Sequence, residues 1–179
     1  MTLAERMQFK NKVQMILHAP GGPLADSAHG GPKTGTARPM LEMTLIFDCS
    51  LSKEKAADTG KEIITILKQT DEIFRNVRLN AVRWHSDEQI TRSVTAAPIL
   101  QMGRYFEDYT QQENAKRLEI LMDYLKKFDA RSRLLILVTD GQYYIEDKEK
   151  LRQSLNPFLY RKILVLEPDG IKTGRTWAL

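Results

Sequence analysis

Cysteine is nearly absent: the 179 residues contain one, Cys49. A single thiol excludes an internal disulfide framework and a cysteine-rich zinc site, and makes a cytoplasmic setting the simplest expectation. Long apolar runs are missing too. The longest, Leu134 to Val138, falls far short of the ~20 residues that a membrane helix needs, so no membrane partner is expected. Glu5, Arg6, Lys10 and Lys12 interrupt the N-terminal segment, which excludes a continuous apolar leader there. The chain also lacks a concentrated excess of positive charge. Residues 1–40 hold five basic and two acidic side chains, leaving 22 basic against 21 acidic in the rest. Phosphate binding wants Lys and Arg gathered on one face, and the body of the chain offers no such surplus.

What is present is a composition of 42% hydrophobic and 28% charged residues, suited to a globular domain with a buried core. At ~150 residues per domain the length allows about one. Thr2-Leu3-Ala4-Glu5 fits a helix-start box, and Leu3, Met7, Val13, Ile16 and Leu17 recur at helical intervals, predicting a helix over Leu3–His18. Ala19 to Pro39 is rich in glycine and proline and poor in aliphatic residues, as a linker would be. The expected organisation is therefore an N-terminal helix plus flexible linker over 1–39, followed by a domain over 40–179.

From Met40 onward strands and helices alternate. Strands are expected at Met43–Phe47, Val77–His85, Ile90–Ala96, Leu134–Thr139 and Ile163–Leu166. Helices are expected at Lys53–Thr70, Gln111–Phe128 and Asp147–Leu155. The Ser86-Asp87-Glu88 turn joins the second and third strands as an antiparallel pair. The alternation predicts an α/β fold: a doubly wound, mostly parallel sheet with one antiparallel edge strand and helices on both faces.

Two apolar strands end in an acid, Phe47-Asp48 and Thr139-Asp140. In a parallel sheet all carboxyl ends share one edge, and a crevice opens where successive connections diverge. Two carboxylates meeting there repel each other unless a positive charge intervenes, and a divalent cation answers that need. Asp48-Cys49-Ser50-Leu51-Ser52 spaces an acid and two hydroxyls at alternate positions. Such oxygen donors suit Mg²⁺ or Mn²⁺, and Ca²⁺ less well. Ser50 or Ser52 could equally cap the following helix.

With Asp48-Cys49-Ser50-Leu51-Ser52 and Leu137-Val138-Thr139-Asp140-Gly141, the sequence resembles the von Willebrand factor A family over about Met40 to Gly170. The resemblance implies a Rossmann-like fold with a metal-ion-dependent adhesion site. In it, Asp48, Ser50, Ser52, Asp140 and a loop threonine serve the ion. Thr110 is the candidate threonine, preceded by Asp108-Tyr109 in place of the family's usual Gly-Gly, with Ala115 at the later position. Thr110-Gln111-Gln112-Glu113 also reads as a capping box, and Glu107 or Asp108 could approach the ion instead.

An electron-poor ion with an open position would accept a Glu or Asp from a partner protein. The expected function is thus a non-catalytic binding module, with Tyr105, Tyr109, Tyr143 and Tyr144 as rigid aromatics around the anchor. Two alternatives stand beside it. A haloacid-dehalogenase-like phosphohydrolase would use Asp48 as nucleophile, although Ser50 occupies the place of its general acid. A nucleic-acid-associated protein would rely on the basic N-terminal segment. A Cys49–His85 couple is a further possibility on paper.

Overall fold

The computed structural model describes residues 1–18, 42–70, 74, 77–95, 105–158, 163–166 and 175–176. Four α-helices occur among them: α1 (Leu3–His18), α2 (Lys53–Thr70), α3 (Leu118–Phe128) and α4 (Lys148–Leu155). The strands are β1 (Glu42–Asp48), β2 (Arg78–Trp84), β3 (Ile90–Thr95), β4 (Lys116–Arg117), β5 (Leu134–Val138), β6 (Tyr143–Tyr144), β7 (Ile163–Leu166) and β8 (Arg175–Thr176). Six of them form one sheet in the order β3-β2-β1-β5-β7-β8, and β4 pairs with β6 in a separate ribbon. The β1/β2, β1/β5 and β5/β7 ladders are parallel. Antiparallel pairs close both edges, β2/β3 and β7/β8, one more than the sequence pattern predicts. The extra pair comes from two residues of the C-terminal tail, too short a stretch for alternation to show.

Strand β1 has the near-continuous burial of a strand covered on both sides. Its alternate side chains separate the core in two. Met43, Leu45 and Phe47 join Leu134, Ile136 and Val138 in a cluster with α1 and α2. Ile46 joins Leu135 and Leu137 in a second cluster with α3 and α4. No helix among the described residues is long and apolar enough to cross a membrane.

The N-terminal helix starts as its sequence predicts: the Thr2 amide donates to Glu5 Oε2 (2.6 Å) and the Glu5 amide to Thr2 Oγ1 (3.3 Å). It is not a separate appendage. Phe9, Val13, Ile16 and Leu17 are buried in the core. The terminal ammonium and Arg6 both pair with Glu62 of α2, and Gln14 Nε2 donates to the Thr70 carbonyl. The buried stripe passes through Phe9, whereas Leu3 and Met7 are exposed. The linker and the expected domain start at Met40 lie outside the described residues.

The largest departure concerns Gln111–Phe128. The helix begins at Leu118, residues 110–115 are irregular, and Lys116–Arg117 form a short strand against Tyr143–Tyr144. The Thr110 capping box is not realised because its residues are engaged elsewhere. Gln111 Nε2 donates to the Ser50 carbonyl (2.8 Å) and the Gln112 amide to the Cys49 carbonyl (2.7 Å). Arg117 pairs with Asp87 and Glu146, and Lys127 pairs with Asp123 one turn away on the helix. Phe128, the last residue of this helix, is exposed and packs on Tyr124.

Candidate functional site

Parallel pairing of β1 with β5 brings the loops after Asp48 and Val138 together, with β2 on the other flank of β1. The carboxyl ends of these parallel strands therefore share one rim of the sheet. Asp48 and Asp140 lie at the same rim, as the topology requires. Ser50 Oγ donates to Asp140 Oδ1 (2.8 Å), and the Gln142 amide donates to the same oxygen (3.0 Å). Thr139 Oγ1 donates to Asp48 Oδ2 (2.7 Å) and accepts the Gly141 amide (3.0 Å). Gly141 has φ of 85°, a left-handed turn that glycine adopts without steric cost.

Asp48 is fully buried, and its second oxygen is engaged too. Oδ1 accepts the Ser50 amide (3.0 Å) and meets Lys116 Nζ at 2.5 Å. Lys116 is likewise fully buried. Its ammonium sits beside Asp48 as an ion pair without the alignment of a hydrogen bond, and the Trp84 ring centroid lies 5.5 Å from it. The β4/β6 ladder sets Lys116 opposite Tyr143, whose ring is 6.3 Å from that of Trp84. Lys116 is the site residue that the sequence reading missed. A helix over 111–128 places it on a helical turn, where a lysine reads as solvated.

The remaining expected site residues are distributed differently. Ser52 caps α2, its hydroxyl accepting the Lys55 amide (3.3 Å) and its carbonyl the Ala56 amide (3.0 Å). Thr110 is exposed, and no described hydrogen bond ties its hydroxyl to Asp48, Ser50, Ser52 or Asp140. Of the four tyrosines, Tyr144 is exposed and Tyr143 half-buried. Tyr109 is buried, its hydroxyl shared between the Leu51 carbonyl (3.0 Å) and the Asp48 carbonyl (3.2 Å). Tyr105 packs on Phe47 and Phe106 with its hydroxyl buried. Burial raises the pKa of both phenols. Tyr105 and Tyr109 therefore support the rim from below instead of lining its surface.

Burial also pushes the Cys49 thiol up to about 11, while burial and the charges of Arg83 and Lys116 push the His85 imidazole down. Both shifts favour the neutral forms, the opposite of a thiolate–imidazolium couple.

Whether these residues fit a divalent ion turns on the buried ammonium. Mg²⁺ requires near-octahedral oxygen donors at roughly 2.0–2.1 Å. Here Asp48 Oδ1 is held by Lys116, Asp48 Oδ2 by Thr139, the Ser50 hydroxyl by Asp140, and the Ser52 hydroxyl by the α2 backbone. A dication anchored at Asp48 would share that carboxylate with a cation that has no route to solvent. As arranged, the donor set does not fit it. Among the described residues, no group of three or more His, Cys, Asp or Glu side chains is placed to hold a metal either. No family model matches the chain, and no curated protein matches it.

Proposed function

We propose that this chain is a non-catalytic protein-binding module of the von Willebrand factor A type, engaging its partner at the carboxyl rim of β1 and β5. The observation that carries this reading is the convergence at that rim of Asp48, Ser50 and Asp140, locked together by the Ser50–Asp140 and Asp48–Thr139 bonds. The strand order and the antiparallel β2/β3 pair support a doubly wound arrangement with its switch point between β1 and β5. Two segments tied to the rim present Thr110, Gln111, Gly141, Gln142, Tyr144 and Ile145 to solvent. A preorganised polar rim with an exposed aromatic is the kind of surface on which binding energy concentrates.

The phosphohydrolase reading has less support. A carboxylate nucleophile needs a free oxygen facing an opening, and Asp48 is buried with both oxygens engaged. The rim reading is tested by photo-crosslinking in cells from a benzoylphenylalanine placed at 142, 144 or 128 in turn. The same partner should be captured from 142 and 144 and not from 128. Capture from all three, or from none, removes the reading, and Asp48-dependent phosphate release from p-nitrophenyl phosphate would replace it with the hydrolase.

A further inference from the structure

We propose that Lys116 is a resident cation standing where a divalent ion would otherwise bind, so that the rim works without metal and without an acidic group from its partner. The inference rests on the von Willebrand factor A reading and specifies how that site is charged. Two acids at a strand-end crevice demand a positive charge, and a built-in ammonium satisfies the demand as a captured ion does. Lys116 Nζ is 2.5 Å from Asp48 Oδ1, and both side chains are fully buried. The fold holds the pair in place: the β4/β6 ladder fixes the lysine backbone, and Trp84 lies beside the ammonium.

Independent of the lysine, the site's oxygen donors are already engaged within the protein. In a set holding a hard cation, Ser50 Oγ and Asp140 would both direct lone pairs at the ion. Instead the Ser50 hydroxyl gives its proton to Asp140 Oδ1 (2.8 Å), which also accepts the Gln142 amide. Ser52 is spent on capping α2. Placing a dication there would break these bonds and set it against the Lys116 ammonium beside Asp48.

A consequence concerns the partner. An adhesion ion recruits carboxylates because its charge reaches the surface. Lys116 is neutralised by Asp48 beneath that surface and offers no such pull. What remains for a partner is hydrogen bonding from Thr110, Gln111 and Gln142 and apolar contact with Tyr144 and Ile145, whose large side chains are exposed.

The test uses the full chain with Mn²⁺ as the probe, read by melting temperature in chelator against excess Mn²⁺ and by loss of the free Mn²⁺ electron-paramagnetic signal. A site filled at a hundred times its Kd would raise the melting temperature by about 5–10 °C. Wild type is expected to show neither that rise nor signal loss, whereas Lys116→Ala, with the charge removed, is expected to show both. A wild-type response abolished by Ser50→Ala overturns the proposal. Silence from a folded Lys116→Ala also overturns it, because no ion-type site then lies under the lysine. If Lys116→Ala is unfolded in chelator, recovery of its circular dichroism on adding Mn²⁺ supports the proposal. If it is not recovered, the longer, uncharged Lys116→Gln replaces it with the same two readouts. None of these results alters the crosslinking outcome, so the rim reading stands or falls separately.

Discussion

Two buried acid–base pairs sit at opposite ends of the central strands, and they are built differently. At the carboxyl rim, Asp48 and Lys116 are both fully buried, and all of the carboxylate is engaged by the ammonium, the Ser50 amide and the Thr139 hydroxyl. At the amino end, Asp129 is fully buried but its partner Arg92 is 25% exposed. Asp129 Oδ1 accepts Arg92 Nε (3.1 Å) and Thr44 Oγ1 (3.2 Å), and Oδ2 is buried with no hydrogen-bond partner among the described residues. Arg92 also donates to Asn80 Oδ1 (2.9 Å), and Asn80 donates to Glu42 Oε1 (2.9 Å), which carries this network outward. The rim pair is closed to water and the other pair opens onto it. Removing one partner of the closed pair leaves an uncompensated buried charge, whereas at the open pair water can take the place of the lost partner.

The largest effect should come from breaking the closed pair. Asp48→Ala strands a buried ammonium and is expected to cost about 3–5 kcal/mol in urea unfolding. The double variant Asp48→Asn with Lys116→Met should recover most of that loss, since an uncharged pair of similar volume no longer needs compensation. If the double variant is no more stable than Asp48→Ala, the two side chains are not coupled and the pair is not the organising feature of the rim. At the open end, Arg92→Ala should cost less, about 1–3 kcal/mol, because water can reach the side of Asp129 that the guanidinium vacates. Equal losses at both ends would erase the distinction.

These two pairs also mark the limit of what the sequence discloses. Apolar runs and periodicity locate β1, α2, β5 and α4 to within a residue or two, because burial on two faces or one stripe imprints itself locally. Strand-end acids follow from the same runs, so Asp48 and Asp140 are legible as rim residues. Lys116 is not. Its partner lies 68 positions away, and the Thr110-Gln111-Gln112-Glu113 pattern satisfies a local rule that tertiary bonds to Cys49 and Ser50 override. Tyr105 and Tyr109 fail for a related reason, since aromatic residues in a loop carry no periodicity that says which way they face. Arg92 and Asp129, 37 positions apart, leave no local trace of their pairing.

A smaller effect separates the pairs by pH. Burial raises the Asp129 pKa above its ordinary 3.8, with Arg92 and Thr44 opposing the shift and Glu42 adding to it. For an acid shifted upward, the folded state disfavours the ionised form, so the penalty exists above the unfolded value and is relieved as pH falls through the folded one. Asp129→Asn never ionises and lacks that relief. The melting temperature of wild type relative to Asp129→Asn should therefore rise as pH is lowered from 7 toward 4. A constant difference across that range would show that Asp129 titrates alike in both states.

The smallest expected change reads the rim charge directly through His85. This ring is buried, with Nε2 3.2 Å from Thr91 Oγ1 and Nδ1 without a hydrogen-bond partner among the described residues. Its pKa falls below 6.5 first through burial, then through repulsion from Arg83 and Lys116. Because the unfolded chain binds the proton more readily, this histidine contributes stability that is complete above 6.5 and lost as pH drops through the folded value. Replacing Lys116 with glutamine removes one of the two repelling charges but not the burial. The His85 ring resonances, followed by NMR, should then titrate at higher pH than in wild type while remaining below 6.5. The Arg92 guanidinium reaches away to Asp129 and is not among the charges that shift His85, so Arg92→Ala should leave the curve in place. A His85 titration that ignores Lys116 but follows Arg92 would mean the ammonium is not where its charge is assigned, and the closed pair would lose its claim to set the electrostatics of the rim.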